Sequence, residues 1–220
     1  LGMVRELRDG HPRTPWFLYF AHGAVHAPLQ AKPADIEKYR GRYEAGWDEV
    51  RRLRFERQKQ LGIMADDVVL PPRNTEENYA VRAWDELTVT EKEVFARYQE
   101  IFAGMVDNVD QNLGRLRTGL EEMGEWENTI VVFTSDNGGS REGLDNGTSA
   151  YFRTLISQIR KNPLDSVELD HSRMDLLGGP QALAHYPSGW AMVSGTPFRL
   201  YKICLLYTSD AADEGLGVDL

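Results

Sequence analysis

Residues 129–135, TIVVFTS, form an uncharged run that Asp136, Asn137, Gly138 and Gly139 follow directly. Runs of β-branched and aromatic residues that end at glycines are typical of buried strands. In open α/β sheets, ligands bind beyond the carboxyl ends of the strands. The Asp136 carboxylate and the Asn137 carbonyl are hard oxygen donors, which suit Ca²⁺ or Mg²⁺ better than zinc. The same residues also favour a simple turn without a ligand, so both interpretations stay open here.

A second apolar run, Trp16 to Phe20, predicts another buried strand. It leads into a loop that carries two histidines, His22 and His26. A single loop histidine is most often only a hydrogen-bonded surface group. Two predicted strands that both end in polar groups of this kind favour a site. The two runs and the helices between them predict an α/β fold.

The remaining pattern is helical. Residues 47–61 predict an arginine-rich helix, in which Glu49 and Glu56 are interleaved with Arg51 and Arg52. This mixture indicates a solvated, ion-paired face rather than a phosphate-binding patch. Apolar residues then recur at three- and four-residue spacing from residue 94 to residue 123, which predicts one long amphipathic helix.

We expect that long helix to begin at a capping box formed by Thr90 and Glu93. Its acidic residues, Asp107 and Asp110, are expected on the solvated face.

Charge and composition restrict the partners. The 220-residue chain has a formal net charge of -9, which argues against general affinity for nucleic acid or an anionic membrane. No stretch approaches the ~18 apolar residues of a membrane span. One cysteine, Cys204, excludes an intrachain disulfide framework. The charge does not identify a substrate, because a local basic pocket can lie inside an acidic protein.

Four segments occur in an order that resembles the type I sulfatases: PWFLYFAHGAVHAPLQA, FAGMVDNVDQNLGRL, NTIVVFTSDNGG, and GW followed by TPFRLYK. The resemblance covers about residues 15–202 and is closest to the bacterial arylsulfatases, which share the KYRGRYEAGWDEVR text. It implies the alkaline-phosphatase-like fold, an α/β/α sandwich with a mixed sheet, here incomplete. It also implies hydrolysis of sulfuric esters, with a small sulfate ester as the substrate.

The resemblance implies roles for four residues. Asp136 and Asn137 match the pair that ligates one active-site Ca²⁺. His26, in the H-x-P loop, matches the imidazole that contacts the sulfate and helps to protonate the departing oxygen. Lys202 matches the lysine that binds a sulfate oxygen. These roles agree with the chemistry, since sulfate ester cleavage needs cations and donors aimed at developing negative charge. His22 has no role that the resemblance assigns.

The chain also departs from the family pattern. The family's nucleophile is a formylglycine made from the Cys or Ser of a C/S-x-P-S-R motif, and these 220 residues contain no such motif. We expect that motif and a further pair of calcium ligands upstream of residue 1. Residues 1–202 are then the central and C-terminal part of a catalytic domain, with a helical insertion at about residues 34–89. We expect the chain alone to be inactive.

Residues 203–220 leave the pattern altogether, and we interpret them as an artefactual tail.

Two alternatives stay open. One is a phosphonate or phosphate ester hydrolase of the same superfamily, against which Asn137 argues, because these relatives tend to place a histidine there. The other is a homologue without the nucleophile that binds a cation or a sulfated ligand. A complete enzyme would depend on a formylglycine-generating system. By resemblance it would be periplasmic or secreted, although the sequence leaves a cytoplasmic location open.

Overall fold

The structure is a computed structural model that describes residues 1–77, 79–152 and 167–202. The helices with defined bounds are α1 (Gly2–Gly10), α2 (Pro33–Glu37), α3 (Gly46–Gln60), α4 (Val89–Glu122), α5 (Val167–His171) and α6 (Ser188–Ser194). Two short 3₁₀ helices, Trp84–Glu86 and Trp126–Asn128, flank α4. None of the helices in these ranges is long and apolar enough to cross a bilayer.

Helix α4, 34 residues long, is the longest helix of the described ranges, while α3 packs on α6. The predicted apolar stripe is real, but it is buried mainly in the N-terminal half, at Val94, Tyr98, Ile101 and Met105. Further along, its residues are only half-buried, until Leu120 is buried again. Helix α2 packs on this helix, as does α5.

The start of α4 is set by Thr88 rather than Thr90. The Thr88 hydroxyl accepts a hydrogen bond from the Glu91 N–H at 3.2 Å, and the Glu91 carboxylate accepts one from the Thr88 N–H at 2.8 Å. These two bonds form a capping box, as the sequence predicted, but it lies two residues before the predicted position. Threonines occupy both positions, and the sequence pattern alone did not separate them.

Four aromatic rings form the centre of the core. The Trp47 ring lies edge-on to Trp84 at 4.8 Å and to Trp190 at 5.8 Å, and it stacks on Phe95. Two of the three indoles donate to backbone carbonyls: Trp47 to that of Arg82 at 3.0 Å, and Trp190 to that of Phe95 at 2.8 Å. The cluster joins α3, α4 and α6, which come from three distant parts of the chain.

A polar layer joins α2 to α4. Asp107 accepts hydrogen bonds from Lys38 at 2.8 Å and from the Tyr39 hydroxyl at 3.0 Å. The bond from Lys38 is the main reason that the pKa of Asp107 falls to about 2. Asp107 is therefore a structural ion-pair partner, and its placement on a merely solvated face was wrong. Gly104 lets α2 approach, since a Cβ there would lie 3.1 Å from the Ile36 nitrogen.

The arginines of α3 divide into two kinds. Arg52 pairs with Glu49 and Glu56 at the surface, as the sequence predicted. Arg51 is buried instead, where its guanidinium donates to the Pro71 carbonyl at 2.6 Å and to the Pro197 carbonyl at 3.4 Å. It is thus a packing group rather than part of the solvated face.

The two predicted buried strands are not formed. Phe17 is 89% exposed and Ile130 is 93% exposed, and neither run has regular secondary structure. Extended backbone becomes a strand only when a neighbouring strand accepts and donates its hydrogen bonds. The described ranges contain only isolated bridges, Leu29 with Ala184, Thr148 with His185 and Ala150 with Leu183. The predicted mixed sheet is therefore absent from the part of the chain that the structure describes.

The C-terminal tail of the sequence analysis, residues 203–220 with Cys204, lies outside the described residues.

Candidate active site

The loop with Asp136 and Asn137 begins where the exposed run ends. Asp136 is exposed and Asn137 is half-buried, and the Asn137 carbonyl accepts a hydrogen bond from the Ser135 hydroxyl at 3.0 Å. Gly139 then brings the loop against α6, because a Cβ at this position would lie 2.7 Å from the Ala191 carbonyl oxygen. The glycine is therefore needed for close approach, and it anchors the Asp-Asn turn to the core.

Lys202 lies beside this loop. Its backbone N–H donates to the Gly139 carbonyl at 3.0 Å, across more than sixty residues of sequence. The preceding residue, Tyr201, is buried, and its hydroxyl donates to the Tyr79 carbonyl at 3.3 Å. The Arg141 guanidinium lies over both tyrosine rings, 4.7 Å from the Tyr79 centroid and 5.8 Å from that of Tyr201. These contacts hold the Lys202 segment against the Asp-Asn-Gly-Gly loop.

His26 is exposed at the tip of its loop. Its Nδ1 lies 2.7 Å from the Ala27 carbonyl oxygen. A carbonyl can only accept, so Nδ1 carries a proton and Nε2 is the ring nitrogen left for a ligand. His22, four residues earlier, makes structural contacts instead. Its Nε2 lies 3.1 Å from the Asn112 amide nitrogen on α4, and its ring packs edge-on against Phe20.

A buried histidine, His185, packs against the loop that follows Gly139, since a Cβ at Gly143 would lie 2.8 Å from its Nδ1. It is 3% exposed, its Nδ1 donates to the Tyr186 carbonyl at 2.9 Å, and its ring stacks on Tyr151 at 5.4 Å. Burial lowers the pKa of His185, and the positive charges of His26 and Lys202 act in the same direction. The Tyr186 carbonyl and Glu142 oppose that shift.

Glu142 is the acidic member of the cluster. Burial alone would raise the pKa of Glu142, but hydrogen bonds from Tyr151 and Ser140 and the charge of Lys202 outweigh burial, so the pKa is lowered. The Tyr151 hydroxyl donates to the carboxylate at 2.8 Å. The Glu142 carboxylate thus remains charged at neutral pH.

The sequence analysis overlooked His185 and Glu142. No periodicity or motif marks either residue. Glu142 sits in a polar stretch of the kind that loops contain, and His185 follows a short apolar run. Backbone pairing of residues 148–151 with residues 183–185 brings their two segments together.

The predicted site residues are therefore partly assembled. The backbone N–H of Lys202 contacts the loop of Asp136 and Asn137, whereas the Nδ1 of His26 is bonded within its own loop, to the Ala27 carbonyl. Within the described ranges, no group of three or more His, Cys, Asp or Glu side chains could hold a metal ion. Asp136 and Asn137 provide oxygen donors of the type that calcium uses, but fewer than the six to eight that it takes.

Comparison with known proteins identifies the family. A sequence model described as Sulfatase matches residues 3–186. An uncharacterized sulfatase of Schizosaccharomyces pombe is 34% identical over 200 residues, which cover 91% of this chain and 34% of the relative. An arylsulfatase of Klebsiella aerogenes is 30% identical over 205 residues, covering 93% of this chain and 39% of the relative.

A shorter similarity extends to a multifunctional alkaline phosphatase superfamily protein of Trinickia caryophylli. It is 40% identical over 37 residues, which cover 17% of this chain and 7% of the relative. The chain thus spans 34% and 39% of the two longer matches. The family carries an alkaline-phosphatase-like α/β fold, and the described residues show its helical part. The chain belongs to the sulfatase family, the type I sulfatases of the alkaline phosphatase superfamily.

Proposed function

We propose that this chain forms part of the active site of a calcium-dependent sulfuric ester hydrolase that acts on aryl or similar sulfate monoesters. The hydrogen bond from the Lys202 N–H to the Gly139 carbonyl, 3.0 Å long, carries this proposal. It joins the segment of the expected sulfate-binding lysine to the loop of the expected calcium ligands. Two turns without a shared role would not be expected to lie side by side when they are so far apart in sequence.

Asp136 and Asn137 would hold the calcium ion, together with oxygen ligands from outside the described residues. The exposed Asp136 carboxylate and the half-buried Asn137 side chain leave room for such ligands. Bound calcium would offset the negative charge of the sulfate group. The family's formylglycine nucleophile would come from a C/S-x-P-S-R motif outside these 220 residues, made by a formylglycine-generating system. The chain by itself is then inactive.

Lys202 and His26 would act on the two ends of the breaking bond. The Lys202 ammonium would donate to a sulfate oxygen and stabilise the negative charge that develops there. His26, whose Nδ1–H is held by the Ala27 carbonyl, would when protonated give its Nε2 proton to the departing ester oxygen.

The same proposal accounts for the incomplete fold. Residues 1–202 would be the central and C-terminal part of the catalytic domain, with an insertion at about residues 34–89. The runs at 16–20 and 129–135 would become strands of the mixed sheet once strands from outside the described residues pair with them. Pairing would also cover the side chains of Phe17 and Ile130, which are exposed here.

One observation favours a second candidate. The short similarity to the multifunctional alkaline phosphatase superfamily protein leaves phosphate or phosphonate ester hydrolysis as the alternative chemistry. Asn137 argues against it, because zinc and manganese sites use histidine more readily than an amide oxygen.

The first test is to read the gene on both sides of this sequence, where we expect a C/S-x-P-S-R motif upstream. The completed protein is then assayed with 4-nitrophenyl sulfate, 4-nitrophenyl phosphate and a phenylphosphonate ester, with and without EDTA. We expect hydrolysis of the sulfate that the chelator abolishes and calcium restores.

Variants test the assigned residues in that assay. Lys202→Ala should lower kcat/KM about a hundredfold or more, as the loss of a donor to developing charge does. Lys92→Ala, at a half-buried lysine in the first turn of α4, is the matched control and should leave it unchanged. Faster turnover of the phosphate or phosphonate ester would establish the alternative chemistry. A completed gene without the motif would reject sulfatase activity and favour a binding homologue.

A further inference from the structure

A groove of about 860 Å³ starts at His22 and His26 and runs between α2, α4 and the loop at residues 175–180. Arg40 and Arg97 also line it. This volume is typical of small-molecule sites, which span ~300–1,000 Å³, and a sulfate group alone would fill little of it. The groove therefore has room for an organic group attached to a sulfate that His26 contacts.

The charged residues that line the groove differ in proportion from those of the whole chain. The whole sequence has 25 basic residues against 34 acidic residues. The groove walls instead carry three basic side chains, Lys32, Arg40 and Arg97, against two acidic ones, Glu37 and Asp175. Two of these cations have carboxylate partners, so an anion in the groove would depend on the third, Lys32, rather than on the lining as a whole.

One of those cations is unpaired. Arg40 pairs with Glu37 at 2.6 Å, and Arg97 pairs with Glu100 at 3.1 Å. Lys32 is exposed and makes no ion pair with any residue in the described ranges. It stands at the start of α2, six residues after His26, and lines the same groove. An anionic group of a bound ligand would be the partner that Lys32 lacks.

The floor of the groove is apolar. Ile36, Met105 and Leu177 are buried beneath it, and Pro28 and Pro180 form parts of its walls. An apolar floor with a basic rim suits a ring that presents one face to the protein and a charged substituent to the edge. A neutral aryl group would use the floor and leave Lys32 without a partner.

We propose that this groove binds the organic part of the sulfate ester and selects substrates whose organic part bears a second anionic group, a carboxylate or another sulfate. The inference rests on the proposed function, because it assigns the groove to the leaving group of the ester whose sulfate lies at His26. Lys32 then acts as a specificity-determining residue that touches the substrate away from the reacting bond.

The test uses the 220-residue chain and probes that contain no sulfate ester. Dissociation constants are measured by calorimetry for 4-nitrophenyl β-glucuronide, which carries a carboxylate, and for the neutral 4-nitrophenyl β-glucoside. We expect the glucuronide to bind at least tenfold more tightly. Lys32→Met should remove most of that difference, whereas Lys92→Met, the matched control on α4, should retain it. Because Lys32 is exposed, its replacement should not unfold the chain.

The outcomes separate the two proposals. Equal binding of both probes, or a preference that Lys32→Met leaves intact, overturns the groove assignment even if the completed protein hydrolyses sulfate esters. A Lys32-dependent preference for the glucuronide supports the groove as an acidic-ligand site, and it does so even if the completed protein shows no sulfatase activity.

Discussion

At the scale of single residues, buried polar groups with defined partners are the features that respond most to substitution. His185 and Asp170 are both nearly inaccessible, and both join segments that lie far apart in sequence. The first is held neutral by burial, whereas the second accepts several hydrogen bonds at once. They therefore predict two different experimental responses.

His185 predicts a pH dependence of stability. Burial lowers the pKa of its imidazole in the folded chain, below the ~6.5 expected when unfolded. The unfolded state therefore binds the extra proton first, and the free energy of unfolding should fall as pH decreases from about 7 through 6.5 towards the folded pKa, by at most about 1.4 kcal/mol per pH unit. Above pH 7 this contribution is fully present.

Urea unfolding at pH 7.5 and pH 5.5 measures this effect. His185→Gln should reduce the loss of stability between the two pH values, whereas the control His11→Gln, at an exposed position, should not. If His185→Gln loses as much stability on acidification as the parent chain, the buried imidazole is not the source.

Asp170 predicts a loss of stability at neutral pH. Its carboxylate accepts hydrogen bonds from the Tyr98 hydroxyl, from the Ser149 hydroxyl and, at 3.0 Å, from the Ser149 N–H. Asp170→Asn places an amide donor among these donors, so the chain should lose about 2–3 kcal/mol of unfolding free energy. Asp175→Asn, exposed in the following loop, is the control, and equal effects of the two changes would contradict the assignment.

At the scale of elements, α4 organises the described part of the chain. Helices α2 and α5 and the short helix Trp126–Asn128 all pack against it. Its C-terminal turn also holds α1, because Arg5 pairs with Glu122 at 2.8 Å. The motif text FAGMVDN supplies the packing face for α2 and the polar groups that hold it there. The motif thus positions α2 against α4.

The cap of α4 predicts a difference between two threonines. Thr88→Ala removes the hydroxyl that accepts from the Glu91 N–H, so it should cost about 1 kcal/mol of unfolding free energy. Thr90→Ala lies within the first turn and should change stability by less than about 0.5 kcal/mol. Urea denaturation of both variants measures the two losses of unfolding free energy. A larger loss for the Thr90 variant would show that the capping box is at Thr90, as the sequence pattern predicted.

At the scale of the whole molecule, two apolar runs stay uncovered. Phe17 and Tyr19 in one run and Ile130 and Val132 in the other are each at least 79% exposed. Contiguous apolar surface of this kind, with unpaired backbone groups, promotes association with other chains. The described helices cannot cover it, since they already pack around α4 and the tryptophan cluster.

We therefore expect the isolated chain to self-associate in a concentration-dependent way. Ile130→Lys combined with Val132→Lys should lower the associated fraction seen by analytical ultracentrifugation. Val89→Lys, at a single exposed position at the start of α4, should lower it much less. A chain that stays monomeric at high concentration, or an equal effect of the control, would show that these runs are covered in solution.

Local patterns were sufficient for the long helix, for the ion-paired side of α3 and for the order of motifs that identifies the family. Helical spacing, caps and ion pairs three or four residues apart depend on neighbours in sequence. Apolar runs are not strands by themselves, because pairing requires a second segment that composition does not specify. Likewise, the sequence predicted a capping box at the start of α4. Whether Thr88 or Thr90 forms it depended on tertiary packing, which the local pattern does not specify.

The remaining features depend on groups far apart in the chain, which therefore had to be placed by tertiary packing. The contact of Lys202 with Gly139, the burial of His185 beside Tyr151 and the pairing of Asp107 with Lys38 each join residues separated by more than thirty positions. The sequence named His26, Asp136, Asn137 and Lys202 as candidates through their chemistry and their motifs. Only packing determines which of them meet, because burial, charge and hydrogen bonding are set by three-dimensional neighbours.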